Sequence, residues 1–130
     1  MARDKITVKL PLREATESIE IATFTKQAVT VANGIEIENA FADKNNSLFI
    51  IIEPTTTAAV TFKAGDKYPN SMLGDLVVTP TDDQPNAIQI LDEARFERTD
   101  GSLYIDFGTG FVGTIYAVAK RAGILPKVNQ

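Results

Sequence analysis

Apolar residues in this chain recur at every second position, in short runs, and that spacing commits most of it to β-strands. Ile6, Val8, Leu10 and Leu12 alternate with Thr7, Lys9, Pro11 and Arg13. Ile19 and Ile21 flank Glu20, Ile35 and Ile37 flank Glu36, and Leu103, Ile105 and Phe107 alternate with Tyr104 and Asp106. Successive side chains of a strand point to opposite faces, so each run offers one apolar face to a core and one polar face to solvent.

Turn residues punctuate these runs. Asp100-Gly101 lies between Ala94–Glu97 and Leu103–Asp106, and Asn33-Gly34 lies between Val29–Val31 and Ile35–Ile37. Both dipeptides predict tight hairpins, because the type I′ turn needs positive φ at both central positions. Leu48 to Ile52 is an unbroken apolar run, read as a central strand covered on both faces and ended by Pro54. Ala58 to Lys63 is its expected partner. Leu76–Thr79, Ala87–Ile90 and Gly113–Lys120 complete the strands, with turn chemistry at Asp82-Asp83-Gln84-Pro85-Asn86 between the first two. Helix is confined to single turns, at Leu91–Phe96 and Arg13–Ser18.

These readings predict an all-β fold, a single β-sandwich or small jelly-roll-like domain. Residues 1–15 read as an amino-terminal arm or edge strand, since Pro11 cannot donate in a central ladder. Residues 16–130 read as the β-sandwich domain. With 130 residues, 44% apolar and 23% charged, the chain has the balance of one folded domain.

The composition narrows the function classes. There are no histidines and no cysteines. That removes Ser-His-Asp and Cys-His catalysis, imidazole- and thiolate-bound metals and any disulfide framework. Gly108-Thr109-Gly110 does not make a phosphate loop. Carboxylate chemistry remains open to Asp82 with Asp83, Asp92 with Glu93, and Asp106 with Glu97. The plainer reading is a turn for the first pair and solvent-facing hairpin residues for the last. We therefore expect no enzyme, no cofactor and no metal. A net charge of −4 with no basic cluster argues against nucleic acid and anionic membranes as partners. The opening residues are too polar for a signal-peptide core and no apolar run is long enough to span a bilayer, so a soluble protein is expected. Tyr68, Tyr104 and Tyr116 are candidates for a sugar-binding face, without the tryptophan that usually supplies one.

The segment from Asn39 to Lys120 resembles the small phage structural proteins known as head decoration, or minor capsid, proteins. The resemblance lies in the order of local features. The polar loop Asn39–Asn46 holds Phe41 and runs into Leu48–Glu53; the strand Ala59–Phe62 precedes a segment interrupted by Gly65 and Gly74. Asp75–Thr79 leads to the turn Pro80–Pro85, Ile88–Leu91 leads through Ala94-Arg95-Phe96 to Asp100-Gly101, and Ser102–Phe107 and Thr114–Ala119 close the series. The chain departs from that pattern in lacking a glycine after Pro80 and in its longer amino-terminal region.

The resemblance implies a protein of the virion, made in the host cytoplasm and bound to the exterior of the assembled capsid. Its partner would be the major capsid protein, and its state a homo-oligomer, with a trimer favoured. It brings no catalytic residues. On that reading the expected contacts are Arg3, Lys5, Val8 and Leu10 in the arm, with Lys67, Tyr68, Asn70, Asp82 and Asp83 in the loops. A head-tail connector, tail component or head-fibre base fits the same composition, and a carbohydrate- or cell-surface-binding sandwich is the alternative from another class.

Overall fold

The computed structural model describes residues 2–9, 26–41, 48–90 and 93–119. They form nine strands: β1 (Asp4–Lys9), β2 (Gln27–Ala28), β3 (Ile35–Glu38), β4 (Leu48–Thr56), β5 (Val60–Phe62), β6 (Leu76–Val78), β7 (Asn86–Ile90), β8 (Leu103–Phe107) and β9 (Val112–Ala119). A 3-10 turn, Pro69–Leu73, precedes β6, and a single helical turn, α1 (Glu93–Phe96), precedes β8. The all-β expectation therefore stands.

The strands run in the order β6-β5-β8-β3-β1-β9-β4-β7, with β2 also paired to β9. Hydrogen bonding is continuous along this path. Among the described residues the architecture is one curled, mixed sheet with β1 as its joint, which is all-β without establishing the two layers of a sandwich or jelly roll. Asp4 to Thr7 pair in parallel with Ile35 to Glu38 of β3. Val8 and Lys9 then pair in parallel with Ala117 and Val118 of β9. Within the amino-terminal segment read as an arm or edge strand, residues 4–9 form β1, shared by both halves of the sheet, and residues 10–15 lie outside the described residues. The helical turn expected at Arg13–Ser18 and the run around Glu20 lie outside the described residues.

Alternation makes the core. Ile35 and Ile37 of β3, Val60 and Phe62 of β5, and Leu103, Ile105 and Phe107 of β8 point inward from one half of the sheet. Leu48, Ile50 and Ile52 of β4 and Ile115, Ala117 and Ala119 of β9 point inward from the other. Both sets belong to one cluster, into which Phe96 of α1 also packs, its ring 6.5 Å from that of Phe62 in an edge-to-face contact. Ile6 and Val8 lie partly buried against it.

Three local expectations are corrected. The run Leu48–Ile52 is buried on one face only: β4 is flanked by β7 and β9, yet Phe49 remains 36% exposed and Ile51 half-buried. Its partner is not Ala58–Lys63: β4 pairs with β7 and β9, with a register shift between Pro54 and Thr56 before the last pair Thr56 and Val112, and the chain then crosses so that β5 pairs with β8 and β6. Asn33-Gly34 does form a tight turn, with both amides donating to Thr30 O. It is no hairpin, since only Gly34 of the two has positive φ, and β2 goes to β9 while β3 goes to β1 and β8.

The Asp100-Gly101 turn holds in modified form. Gly101 carries φ of 85°, Asp100 Oδ1 accepts from the Ser102 amide and hydroxyl, and Arg98 N donates to Ser102 O. The segment entering it is α1 and not a strand.

Candidate interaction surface

Between β5 and β6 the chain leaves the sheet for residues 63–75, and both ends of the excursion are pinned. At the sheet end, Asp75 Oδ1 accepts from Ala64 N at 2.7 Å and Asp75 Oδ2 from Lys63 Nζ at 2.9 Å. At the α1 end, Gly65 N donates to Arg95 O, and the amides of Asp66 and Lys67 both donate to Glu97 O. Arg95 returns the contact, its guanidinium donating to Gly74 O at 2.8 Å and Asp75 O at 3.0 Å. Asp66 Oδ1 accepts from the Thr99 amide and hydroxyl, which ties the excursion to the turn before β8.

These bonds leave electrostatic signatures. The Thr99 donors hold the Asp66 carboxyl below its ordinary range, and the Ala64 amide followed by Lys63 does the same for Asp75. Ser102 lowers Asp100 likewise. Lys63 and Lys67 are raised, by the hydrogen bonds to Asp75 and Glu97 respectively.

What this framework presents is apolar. The 3-10 turn Pro69–Leu73 has no buried residue. Met72 is 90% exposed, Leu73 64% and Val77 of β6 59%, with Tyr68 and Leu76 also at the surface. β6 ends the strand order on this side. Exposed apolar side chains gathered on an ordered element, and not scattered singly, are the usual mark of a contact surface.

The residues singled out from the sequence divide around this surface. Lys67, Tyr68 and Asn70 come together on the excursion, exposed, with the Lys67 ammonium 5.3 Å from the Tyr68 ring centre. Asp82 and Asp83 occupy a separate exposed turn, where Asp82 Oδ1 accepts from Thr57 N at 2.6 Å and Asp83 N donates to Pro54 O. Asp82 is thereby a tether between the turn and the end of β4.

The amino-terminal candidates scatter. Lys5 is exposed, 3.8 Å from Glu38. Val8 packs against the core, and Leu10 lies outside the described residues. Arg3 is turned inward, donating to Ile105 O and Asp106 and lying over Tyr104. Once β1 pairs with β3 and β9, its alternate side chains face the core and cannot all face a partner. Met72, Leu73, Leu76 and Val77 were missed; the signal available was an apolar pair, Met72-Leu73, set between the turn residues Pro69 and Gly74.

The carboxylate pairs change character too. Asp106 belongs to Arg3, while Glu97, expected at the solvent face, is buried against Lys67. No group of three or more metal-ligating side chains occurs among the described residues. The tyrosines make no common face: Tyr116 is buried, and both Arg3 and Arg98 lie close over the Tyr104 ring, at 4.3 and 4.1 Å. Among the described residues no helix is long and apolar enough to cross a membrane.

Comparison with protein-family models, curated proteins and solved structures finds no match to this chain.

Proposed function

We propose that this is a non-enzymatic structural protein that docks on other protein through the 68–77 surface, and that it serves as a phage head decoration protein on the exterior of an assembled capsid. The observation that carries the docking role is the exposure of Met72, Leu73 and Val77 on an excursion tied down at both ends. A pre-ordered apolar tip binds without a large ordering cost, which is how a small contact becomes a useful one. The choice of a capsid as partner rests on the resemblance of Asn39–Lys120 to decoration proteins.

A cement protein acts by mass action. Binding the assembled shell and not free subunits stabilises the assembly. An oligomer, with a trimer favoured, multiplies identical contacts on one particle and adds avidity. Major capsid protein is the partner in this reading, and the virion exterior the location after synthesis in the host cytoplasm.

Quantitative mass spectrometry of gradient-purified virions tests it directly. A copy number comparable to that of the major capsid protein is the expected result. A handful of copies per particle would move the protein to the connector or tail, and complete absence would overturn the virion role. The surface is tested separately: the double substitution Met72→Ser with Leu73→Ser should abolish binding to emptied shells. Because neither side chain is buried, that variant's folding stability should stay within about 0.5 kcal/mol of the parent.

A further inference from the structure

Glu97 is a carboxylate in an unusual position. Its side chain is only 7% exposed, Oε2 accepts from Lys67 Nζ at 2.9 Å, and Oε1 is buried with no hydrogen-bond partner among the described residues. Leaving such an acceptor unpaired in the interior costs about 1–3 kcal/mol. One turn earlier, at the start of α1, lies Glu93, whose carbonyl accepts from Glu97 N at 2.9 Å, so the two side chains leave the same side of the turn. Two carboxylates cannot hydrogen-bond each other, since each only accepts; a proton on one supplies the donor.

We propose that Glu93 holds a proton and donates it to the buried Oε1 of Glu97, and that this bond latches the 63–75 excursion onto α1 until rising pH removes it. The latch is mechanical because Glu97 is the excursion's anchor. Its backbone carbonyl accepts from Asp66 N and Lys67 N, each at 3.3 Å, and its carboxylate holds Lys67. With the proton gone, two negative charges meet a single ammonium in a poorly hydrated place.

Among the described residues the surrounding charges offer no substitute donor. On α1, Arg95 is committed to Gly74 O and Asp75 O. On the excursion, Lys67 is the one cation facing the pair, and Asp66 is held by Thr99 with Arg98 at 3.4 Å. On the turn before β8, Asp100 is held by Ser102. The 3-10 turn packed against α1 carries no charged residue. Asp92, beside Glu93 in sequence, lies outside the described residues.

Burial pushes the Glu93 carboxyl above its ordinary value of 4.5, and Glu97 beside it pushes further in the same direction, against the pull of Lys67. An acid raised in the folded state holds a proton that the unfolded chain has released. Its stabilising contribution is therefore full below the unfolded value and is lost as pH rises through the folded one. The latch is independent of what the exposed turn binds.

The test uses the full chain. The Glu93 side-chain carboxyl is titrated by its carbon-13 chemical shift, and the exchange protection of the Asp66 and Lys67 amides is followed over the same range after correction for intrinsic exchange. The expected result is a Glu93 titration shifted above the ordinary glutamate value, with loss of protection at both amides in the same interval. In Glu93→Gln, whose amide donates at every pH, protection should persist across that interval. A Glu93 titration at or below the ordinary value would overturn the proposal, and so would an unchanged pH profile of the two amides in Glu93→Gln. The wild-type titration needs no variant and decides the matter even if the substituted chain folds poorly.

Discussion

Arg3 Nη1 donates to Asp106 Oδ1 across 2.6 Å, joining the start of β1 to β8 between residues 103 positions apart. The same nitrogen donates to Ile105 O, and the guanidinium lies 4.3 Å from the centre of the Tyr104 ring. Asp4 N donates to Gly34 O beside it, so this cluster sets where the parallel pairing of β1 with β3 begins. Replacing Arg3 by alanine should cost about 1–2 kcal/mol, a partly exposed ion pair plus a cation–π contact, read as a fall in the urea midpoint. Arg3→Lys should recover only part of this, because an ammonium lacks the planar guanidinium face that stacks on Tyr104 while Nη1 donates to both acceptors.

Gly65 is required for space. A Cβ there would lie 2.0 Å from Glu97 O and 2.5 Å from Glu97 C, both backbone atoms that cannot yield cheaply. Gly65→Ala should destabilise by about 2–3 kcal/mol by forcing the excursion away from α1. Proteolysis within residues 66–75 should become faster than in the parent. Equal cleavage rates would show that the excursion tolerates displacement.

Phe62 and Phe49 should behave oppositely. Phe62 is fully buried and meets Phe96 edge to face, so Phe62→Ala is expected to cost about 3–5 kcal/mol. Phe49 faces outward from β4, and its alanine variant should cost no more than about 1 kcal/mol. Chemical denaturation of the two variants beside the parent checks both values.

Acid should loosen the same end of the molecule that loss of the Glu93 proton is proposed to unlatch. Asp66, Asp75 and Asp100 all have folded values lowered from 3.8 by hydrogen bonds to their carboxylates. A lowered acid contributes stability that is present above its unfolded value and lost as pH falls through its folded one. Parent and Asp75→Asn chains should therefore differ most in melting temperature above about pH 4 and converge at lower pH. A gap that persists in strong acid would assign the effect of Asp75 to packing.

How much of this was legible in the sequence depends on how local each signal is. The alternations Ile35/Ile37 and Leu103/Ile105/Phe107 announced their strands because the period of two is a property of the strand itself. Partner choice is not local. Nothing near Asn33-Gly34 says that Val29 and Ile35 part company, or that Ala58–Lys63 pairs with β8 and not with β4. The run Leu48–Ile52 misled for a related reason: apolar residues on both faces invite the reading of a covered strand, while Phe49 shows that one face was left partly open. That Lys67, Tyr68 and Asn70 sit exposed in a loop was legible from the turn residues around them. The burial of Glu97 was not, because one helical turn at Glu93–Phe96 breaks the alternation and swings a residue expected at the surface into the interior.

The division of β1 between β3 and β9 also has a meaning in time. Val8 and Lys9 register with Ala117 and Val118, so β1 finds half of its pairing only after β9, far along the chain, has been synthesised. A growing chain must keep Ile6 and Val8 from other companions while the residues between the two strands are made. Contacts so far apart in sequence slow folding, since the loop between them must close before any bond rewards it. The sheet can be completed only once β9 has left the ribosome, and a nascent chain halted before residue 117 should hold the amino-terminal strand by β3 alone.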